Sequence, residues 1–378
     1  MPLEPPSSDA LEALFDSATG YLVGIEEELM LLDPASLELV PKGPEVLGWV
    51  DGDERFKLEL PASQIEVVTP PRATVEAAAT ELMAARHDLA GCTQGRVRIA
   101  SAGVSPVGSG RGEVNASPRY QAILREYGPI AERQLVCALQ VHVSIPGAGR
   151  ALTVYNHART YLPWVAALAA NGRFYEGEDT GLASVRPKIS ELLPRHGIPP
   201  AFADWREYAD ALSWGKSAYA VPEPGAWWWE LRPHPSFGTL EFRVPDSQPT
   251  VAQSAAVAAV IHALVVWLAR RCDAGEQLPV ASTWRLEENR WSACRYGVEG
   301  EMVDPRTGQR RRTRDCLEEL LQALGPIAAE LGASRALQQA VSMVQVNGAI
   351  RQRQVGEGGG AHAVAEWLVD RFLAAGPG

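Results

Sequence analysis

Residues 24–29 read Gly-Ile-Glu-Glu-Glu-Leu and place three consecutive carboxylates inside an apolar segment. Side chains alternate between the two faces of a strand, so Glu26 and Glu28 point the same way. Glu27 shares the other face with Ile25. Burying carboxylates costs free energy unless something cationic receives them. The stretch therefore predicts a strand with one acidic face, and it leaves two interpretations open: a bound divalent cation, or a solvated face with arginine partners.

Two further segments carry polar side chains on one face of an apolar strand. Polar and apolar residues alternate around Glu66, and Glu59 lies shortly before it. In residues 135–145 one face is apolar, while Gln140 and His142 fall on the other. Mg²⁺ prefers oxygen ligands and takes only a few of them from protein. The four carboxylates of the two acidic segments are therefore enough to hold two ions.

A third segment, residues 238–246, repeats the arrangement, because Glu241 and Arg243 alternate with apolar neighbours. Glu230 and Arg232 share a face just upstream. One interpretation is a set of cross-strand ion pairs on a wet surface, where each pair contributes little stability. The other is that the glutamates hold metal while the arginines bind a carboxylate or phosphates through bidentate hydrogen bonds.

Composition narrows the classes of partner and the compartment. With 46 acidic and 35 basic side chains the net charge is −11, which argues against nucleic acid and membrane surfaces as partners. The five cysteines are widely spaced without a C-x-x-C pair, as in a reduced, cytoplasmic protein. Residues 1–20 lack a secretory signal and are expected to be a flexible lead-in. Residues 251–269 are apolar but contain Gln253 and His262, which favours a buried core helix.

The order of segments predicts an α+β fold. Strands are expected at 21–32, 96–103, 135–145, 227–232 and 239–244, and helices at 74–93, 117–132, 150–170, 204–214 and beyond 251. No glycine-rich turn joins a strand to a helix as a nucleotide-binding βαβ unit would require. Strands that are polar on one face indicate a sheet with helices on one side and an open surface on the other. We expect residues 21–378 to form a single domain.

These segments resemble the carboxylate–amine ligase family of bacterial type-2 glutamate–cysteine ligases, and more distantly glutamine synthetase. The resemblance covers most of the chain and rests on these motifs: GIEEEL at 24–29, ELPASQIEVVTPP at 59–71, QVHV at 140–143, LASVRP at 182–187, ELRPHPSFGTLEFRVPD at 230–246 and NRWSACRYG at 289–297. It implies a glutamine synthetase-like fold, in which a curved antiparallel sheet carries helices on its outer face and the active site in its concave face.

The resemblance also implies an activity, its cofactors and the roles of individual residues. A ligase of this family joins a carboxylate, here expected to be glutamate, to an amine at the expense of ATP, with two or more Mg²⁺ ions or Mn²⁺ as a substitute. The implied metal ligands are Glu26, Glu28, Glu59, Glu66 and Glu241. The implied anion-binding, catalytic arginines are Arg186, Arg232 and Arg243, and the implied cofactor contacts are His142, Gln140 and Arg351, the last on an expected C-terminal loop. A homodimer is expected because relatives often dimerise.

One departure bears on the substrate. Gln140 stands where many relatives carry the first histidine of an H-V-H strand. The amide oxygen is a weaker ligand than imidazole for borderline metals but suits Mg²⁺. The alternatives are a ligase of the same fold with a different amine or acid, a guanidino kinase, and a catalytically silent ligand-binding paralogue. Product analysis distinguishes the first two, and nucleotide binding without turnover indicates the third.

Overall fold

The computed structural model describes residues 5–218 and 227–374. Its strands are β1 Val23–Leu32, β2 Phe56–Leu58, β3 Gln64–Val68, β4 Arg98–Ala100, β5 Leu139–Ser144, β6 Phe174–Tyr175, β7 Glu178–Asp179, β8 Leu231–His234, β9 Thr239–Phe242, β10 Glu301–Val303 and β11 Arg310–Arg312. Its helices are α1 Ser8–Asp16, α2 Gly43–Trp49, α3 Val75–Thr93, α4 Pro118–Tyr127, α5 Ala148–Ala158, α6 Leu162–Ala169, α7 Arg186–Ser190, α8 Trp205–Ala218, α9 Val251–Asp273, α10 Thr283–Tyr296, α11 Thr313–Glu330, α12 Ser334–Gln345 and α13 Gly348–Arg371.

Seven strands form one antiparallel sheet in the order β2-β3-β1-β5-β9-β8, with β4 beside β1. β1 is the longest strand and lies at the centre: β3 pairs along one edge, and β5 and then β4 pair along the other. Because directly opposite residues share a face, this register decides which polar side chains from different strands meet. The α+β prediction is confirmed, and the sheet is antiparallel as the resemblance implied.

Helices cover one face of the sheet. The central one is α9, which packs against β1, β5 and the helices α3, α5, α11 and α12. α9 is the one helix of the described residues that is long and apolar enough to cross a membrane, and 89% of its apolar window is buried inside the structure. Its three polar exceptions are accommodated within the core: the His262 imidazole bonds the Tyr21 carbonyl, Gln253 bonds the capping residue Thr250, and Ser254 bonds the Glu27 carboxylate. The prediction of a buried core helix is confirmed.

The predicted flexible lead-in needs a correction. Residues 8–16 form α1, which begins at the side-chain cap of Ser7. Leu11 and Phe15 of this helix are completely buried, and the Phe15 ring lies 4.8 Å from that of Trp205. The sequence pattern of prolines and acids concealed a short amphipathic helix, because only its inner face carries the large apolar residues. Residues 1–4 lie outside the described residues, and the division into a lead-in and one catalytic domain stays a prediction.

Candidate functional site

The face of the sheet opposite the helices carries the polar residues. On β1, Glu27 points into the helical layer, where its carboxylate pairs with Arg86 at 2.7 Å and both side chains are fully buried. Ser254 donates a hydrogen bond to the same carboxylate. Glu26 and Glu28 point the other way, as alternation predicts. Only one of the three consecutive carboxylates is therefore a structural ion pair, and the other two belong to the open face.

Strand register brings the predicted residues into rows on this open face. Glu28 of β1 lies opposite Glu66 of β3. Glu26 lies opposite Gln140 of β5, and His142 of the same strand lies opposite Glu241 of β9. Two arginines also lie on this face. Arg232 of β8 and Arg243, which follows β9, both pair with Glu241. Residues far apart in the chain are thus gathered by hydrogen-bonded neighbours on consecutive strands.

Three carboxyl groups of this face carry strongly perturbed pKa values. Burial, and then repulsion from Glu59, raise the pKa of Glu28 to about 7. Burial, followed by repulsion from the neighbouring glutamates, raises the pKa of Glu66 well above its ordinary value. Burial also raises the pKa of Glu59. The cluster of Glu28, Glu59 and Glu66 is therefore short of positive charge, which is the condition that a bound cation relieves.

The other two glutamates have neighbours that favour their ionised forms. Burial tends to raise the pKa of Glu26, but the neighbouring His142 side chain outweighs burial and lowers the pKa. The His142 Nε2 atom lies 3.5 Å from the Glu26 carboxylate. Burial likewise opposes ionisation of Glu241, yet Arg232 and Arg243 hold its pKa well below the ordinary range. Glu241 is thus neutralised by two arginines in this arrangement, whereas it was expected to hold metal.

The donor set suits a hard cation, although it is not assembled around one. Among the residues that the structure describes, no three His, Cys, Asp or Glu side chains are arranged so that they could hold a metal ion. The groups on the face are nevertheless carboxylate oxygens, the ligand type that Mg²⁺ prefers. The mutual repulsion of Glu28, Glu59 and Glu66 favours the binding of such an ion. A cation would have to draw these carboxylates together.

Two cavities flank the glutamates. The smaller, of about 90 Å³, lies at the Glu28 end and is lined by Glu59, Arg186 and Arg243. The larger, of about 800 Å³, lies at the Glu26 end, where Lys57 and His142 line it. Glu28 and Glu59 therefore line a small, charged cavity and Glu26 lines a roomy one, both on the same face of the sheet.

The three predicted arginines are held differently. Arg186 begins α7, donates from Nε to Asp246 at 2.7 Å and from Nη2 to the Val244 carbonyl at 2.6 Å. Arg232 is held by the carboxylate of Glu241. Arg243 donates from Nη1 to the amide oxygen of Gln140 and to Glu241. Arg186 and Arg243 line the small cavity, whereas Arg232 pairs with Glu241.

The model of glutamate–cysteine ligase family 2 matches residues 22–364. The chain belongs to that family. A protein of Rubrobacter xylanophilus named as glutamate–cysteine ligase 2-3 is 36% identical over 368 residues, covering 95% of this chain and 99% of the relative. A glutamate–cysteine ligase 2 named in Gloeobacter violaceus is 34% identical over 350 residues, covering 90% and 94%.

Solved structures show the same fold at low sequence identity. A glutamate–cysteine ligase from Francisella tularensis, crystallised in complex with AMP, superposes with a TM-score of 0.71 at 11% identity, covering 94% of this chain and 90% of that chain. The family 2 chain therefore shares its architecture with solved ligases. At this identity the comparison shows the fold alone, and the roles of individual residues rest on the geometry above.

The structure does not bring Arg351 to this face of the family 2 chain. Arg351 lies in α13, where Nη1 donates to Gln354 of the same helix. It lines neither of the two cavities described above. The expected C-terminal loop, the glycine run at 356–360, lies instead within helix α13, which kinks at Gly360 where the backbone is not helical. The prediction for Arg351 depended on a loop that is absent from this segment.

Sequence reasoning missed two residues of the small cavity. The ring of His196 stacks on Trp228 with centroids 5.5 Å apart and planes 10° apart, and both line the cavity. Burial, and then the charges of Arg243 and Arg186, lower the pKa of His196 to about 3, so its imidazole is neutral. His196 lies in an irregular segment, where no periodicity marks a residue as facing a site. The stacking partner comes from a distant segment that local patterns cannot connect to it.

Proposed function

We propose that the chain is an ATP-dependent carboxylate–amine ligase that joins glutamate, through its γ-carboxylate, to an amine such as cysteine. The observation that carries the proposal is the acidic cluster of Glu28, Glu59 and Glu66, which lies beside Arg243 between two cavities on one sheet face. Membership in glutamate–cysteine ligase family 2 supports the reaction class. The AMP in the Francisella tularensis neighbour supports the use of a nucleotide.

The reaction requires an activated carboxylate. A free carboxylate does not react with an amine at neutral pH, because oxide would have to leave. Transfer of the γ-phosphoryl group of ATP to the carboxylate gives an acyl-phosphate, which the amine attacks with release of phosphate. Phosphoryl transfer depends mainly on positioning and on stabilising negative charge. Glu26, Glu28, Glu59 and Glu66 would hold the Mg²⁺ ions, which would supply the charge neutralisation that carboxylates and phosphates require to approach one another.

Other side chains of the site bind the substrate and the nucleotide or position a neighbour. Arg243, with Arg186 beside it, binds the carboxylate substrate in the small cavity through charge-assisted hydrogen bonds. Arg232 keeps Glu241 ionised and fixed, which in turn orients Arg243. The larger cavity has the room for a nucleotide, and Lys57 at its wall offers a charge for phosphate. His142, with Nε2 3.5 Å from the Glu26 carboxylate, lines the larger cavity.

An ADP-release assay tests the proposal. The purified protein is incubated with ATP, Mg²⁺ and glutamate against a panel of amino acids and amines, with mass detection of the product. We expect ADP, phosphate and a γ-glutamyl amide to form together, and only when all components are present. Turnover that survives EDTA, or a phosphorylated guanidine as the product, would refute the ligase assignment.

One observation favours a second candidate, a ligase of the same fold with a different amine or acid. Gln140 replaces the first histidine of the H-V-H strand, and its amide faces the carboxylate cluster. The same assay covers this candidate, because its panel varies both amine and acid. A cytoplasmic location and a homodimer stay predictions within either proposal.

A further inference from the structure

Gln140 lies on the open face and forms hydrogen bonds through both its amide nitrogen and its amide oxygen. Its amide nitrogen donates to Glu28 at 3.0 Å and to Glu66 at 3.3 Å. Its amide oxygen accepts a hydrogen bond from Nη1 of Arg243. The side chain is buried, with 3% of the residue exposed. One neutral group therefore contacts an arginine on one side and two carboxylates on the other.

Charge permits only one orientation of this amide. If the amide were reversed, its oxygen would face Glu28 and Glu66, and its N–H groups would face the N–H groups of Arg243. The contact with Arg243 would be repulsive whatever the protonation of Glu28 and Glu66, because guanidinium and amide N–H groups can only donate. The oxygen is thus committed to the arginine and the nitrogen to the acids.

No other side chain at this position can serve all three partners. A neutral histidine has one N–H, so it can accept from Arg243 and donate to one carboxylate only. A protonated histidine cannot accept from arginine, and an ionised glutamate cannot donate to Glu28 or Glu66. Glutamine offers an acceptor and two donors without adding charge, and asparagine carries the same amide on a side chain one methylene shorter. This separates the present chain from relatives that carry histidine at position 140.

The position of Arg243 depends on this bridge. Arg243 lies among carboxylates. Burial opposes the charge of its guanidinium, but Glu241, Glu28 and Glu59 outweigh burial and raise the pKa of Arg243. Nη1 of Arg243 donates to both the Gln140 oxygen and the Glu241 carboxylate. Without the amide oxygen, Glu241 alone would hold Nη1, and the guanidinium could turn toward Glu28. Glu28 lines the same small cavity, so an ion pair there would neutralise the cation that binds substrate.

We infer that Gln140 is a positioning residue that holds Arg243 toward the small cavity and so sets the affinity for the carboxylate substrate. This inference rests on the proposed function for the identity of that substrate. The expectation that Gln140 contacts a cofactor stays a prediction, since its amide oxygen keeps a second lone pair beside the hydrogen bond from Arg243.

Two measurements on the full chain test the inference. Gln140→Met keeps the length of the side chain but removes its hydrogen bonds. We expect glutamate binding, measured by calorimetry, and KM for glutamate to weaken about ten- to a hundredfold, as for lost hydrogen bonds to charged groups, with a much smaller change in KM for ATP. Gln140→His should recover part of the loss. Gln253→Met, which removes a buried glutamine in α9 far along the chain, is the matched control and should bind glutamate normally.

The second measurement is independent of any ligand. In a double-mutant cycle, Arg243→Met should shift the thermal unfolding midpoint less in the Gln140→Met background than in the unaltered chain, because the contact is already gone. Additive shifts, or a Gln140→Met variant that loses ATP affinity but keeps glutamate affinity, would overturn the inference. If coupling is present while the unaltered protein forms no amide, the proposed function fails and the positioning of Arg243 by Gln140 stands.

Discussion

Glu28 of β1 and Glu66 of β3 lie directly opposite each other, and the pKa values of both carboxyl groups are raised by burial and by neighbouring carboxylates. Two like charges in this position destabilise the folded chain unless they are protonated or receive a cation. This relationship makes the stability of the protein depend on pH and on divalent metal.

Stability in the absence of divalent metal should fall as pH rises through neutrality. The pKa of Glu28 is about 7 in the folded chain against an ordinary value of 4.5. Between these values the folded state binds more protons than the unfolded state, so the free energy of unfolding decreases with rising pH, by about 1–3 kcal/mol in total. Thermal unfolding with EDTA at pH 6 and pH 8 measures this. Glu28→Gln should reduce the difference, and a midpoint that rises toward pH 8 would contradict the assignment.

Mg²⁺ should raise the unfolding midpoint, and more at pH 8 than at pH 6. At the higher pH the clustered carboxylates are ionised in the metal-bound chain, whereas at the lower pH the ion must displace protons. A saturating ion, at about 100 times its dissociation constant, stabilises the folded state by about 2.7 kcal/mol. Differential scanning fluorimetry with a Mg²⁺ titration reads this out. Glu66→Gln should weaken the response, and an equal response in that variant would remove Glu66 from the metal site.

Arg243→Ala should lower kcat/KM for amide formation by more than about a hundredfold, since a buried charge-assisted contact to the reacting carboxylate is lost. Its fold should persist, because Glu241 keeps its pairing with Arg232. Arg351→Ala is the matched control, for Arg351 lines neither cavity and should keep near-normal turnover. Steady-state kinetics on both variants decide the matter. Equal losses of kcat/KM in the two variants would contradict the specific role of Arg243 on the open face.

Glu27→Gln should lower the free energy of unfolding without changing which substrate the chain accepts. Glu27 and Arg86 form a fully buried ion pair, and Arg86 also donates to the carbonyls of Gln248 and Phe372. Removing one partner leaves a buried charge uncompensated, at a cost of about 3–5 kcal/mol. Urea unfolding measures the loss. Arg270→Gln, which breaks the exposed pair with Glu330, should change little by comparison, and similar effects of the two substitutions would count against the buried pair.

Much of the open face could be predicted from alternation within single strands. That rule separated Glu26 and Glu28 from Glu27, and it placed Gln140 with His142 and Glu241 with Arg243. It worked because a strand has a period of two whatever its partners are. The long apolar segment around His262 was also assigned correctly to the core, since composition alone argues for burial there.

Local patterns failed where the outcome depended on packing between distant segments. The α1 helix was missed because the partner of Phe15, Trp205, lies far along the chain. The segment of Arg351 is helical where a loop was expected, and a role for Arg351 in nucleotide binding stays a prediction.

The amino-acid sequence by itself determined which side chains share a strand face and which family motifs the chain carries, because both are properties of neighbouring residues. Only the tertiary structure decided that Glu27 is neutralised by Arg86, that Glu241 is held by two arginines, and that Gln140 joins Arg243 to Glu28. The physical reason is that each of these contacts depends on strand register and helix packing. Those are set by the burial of the whole core rather than by any one segment.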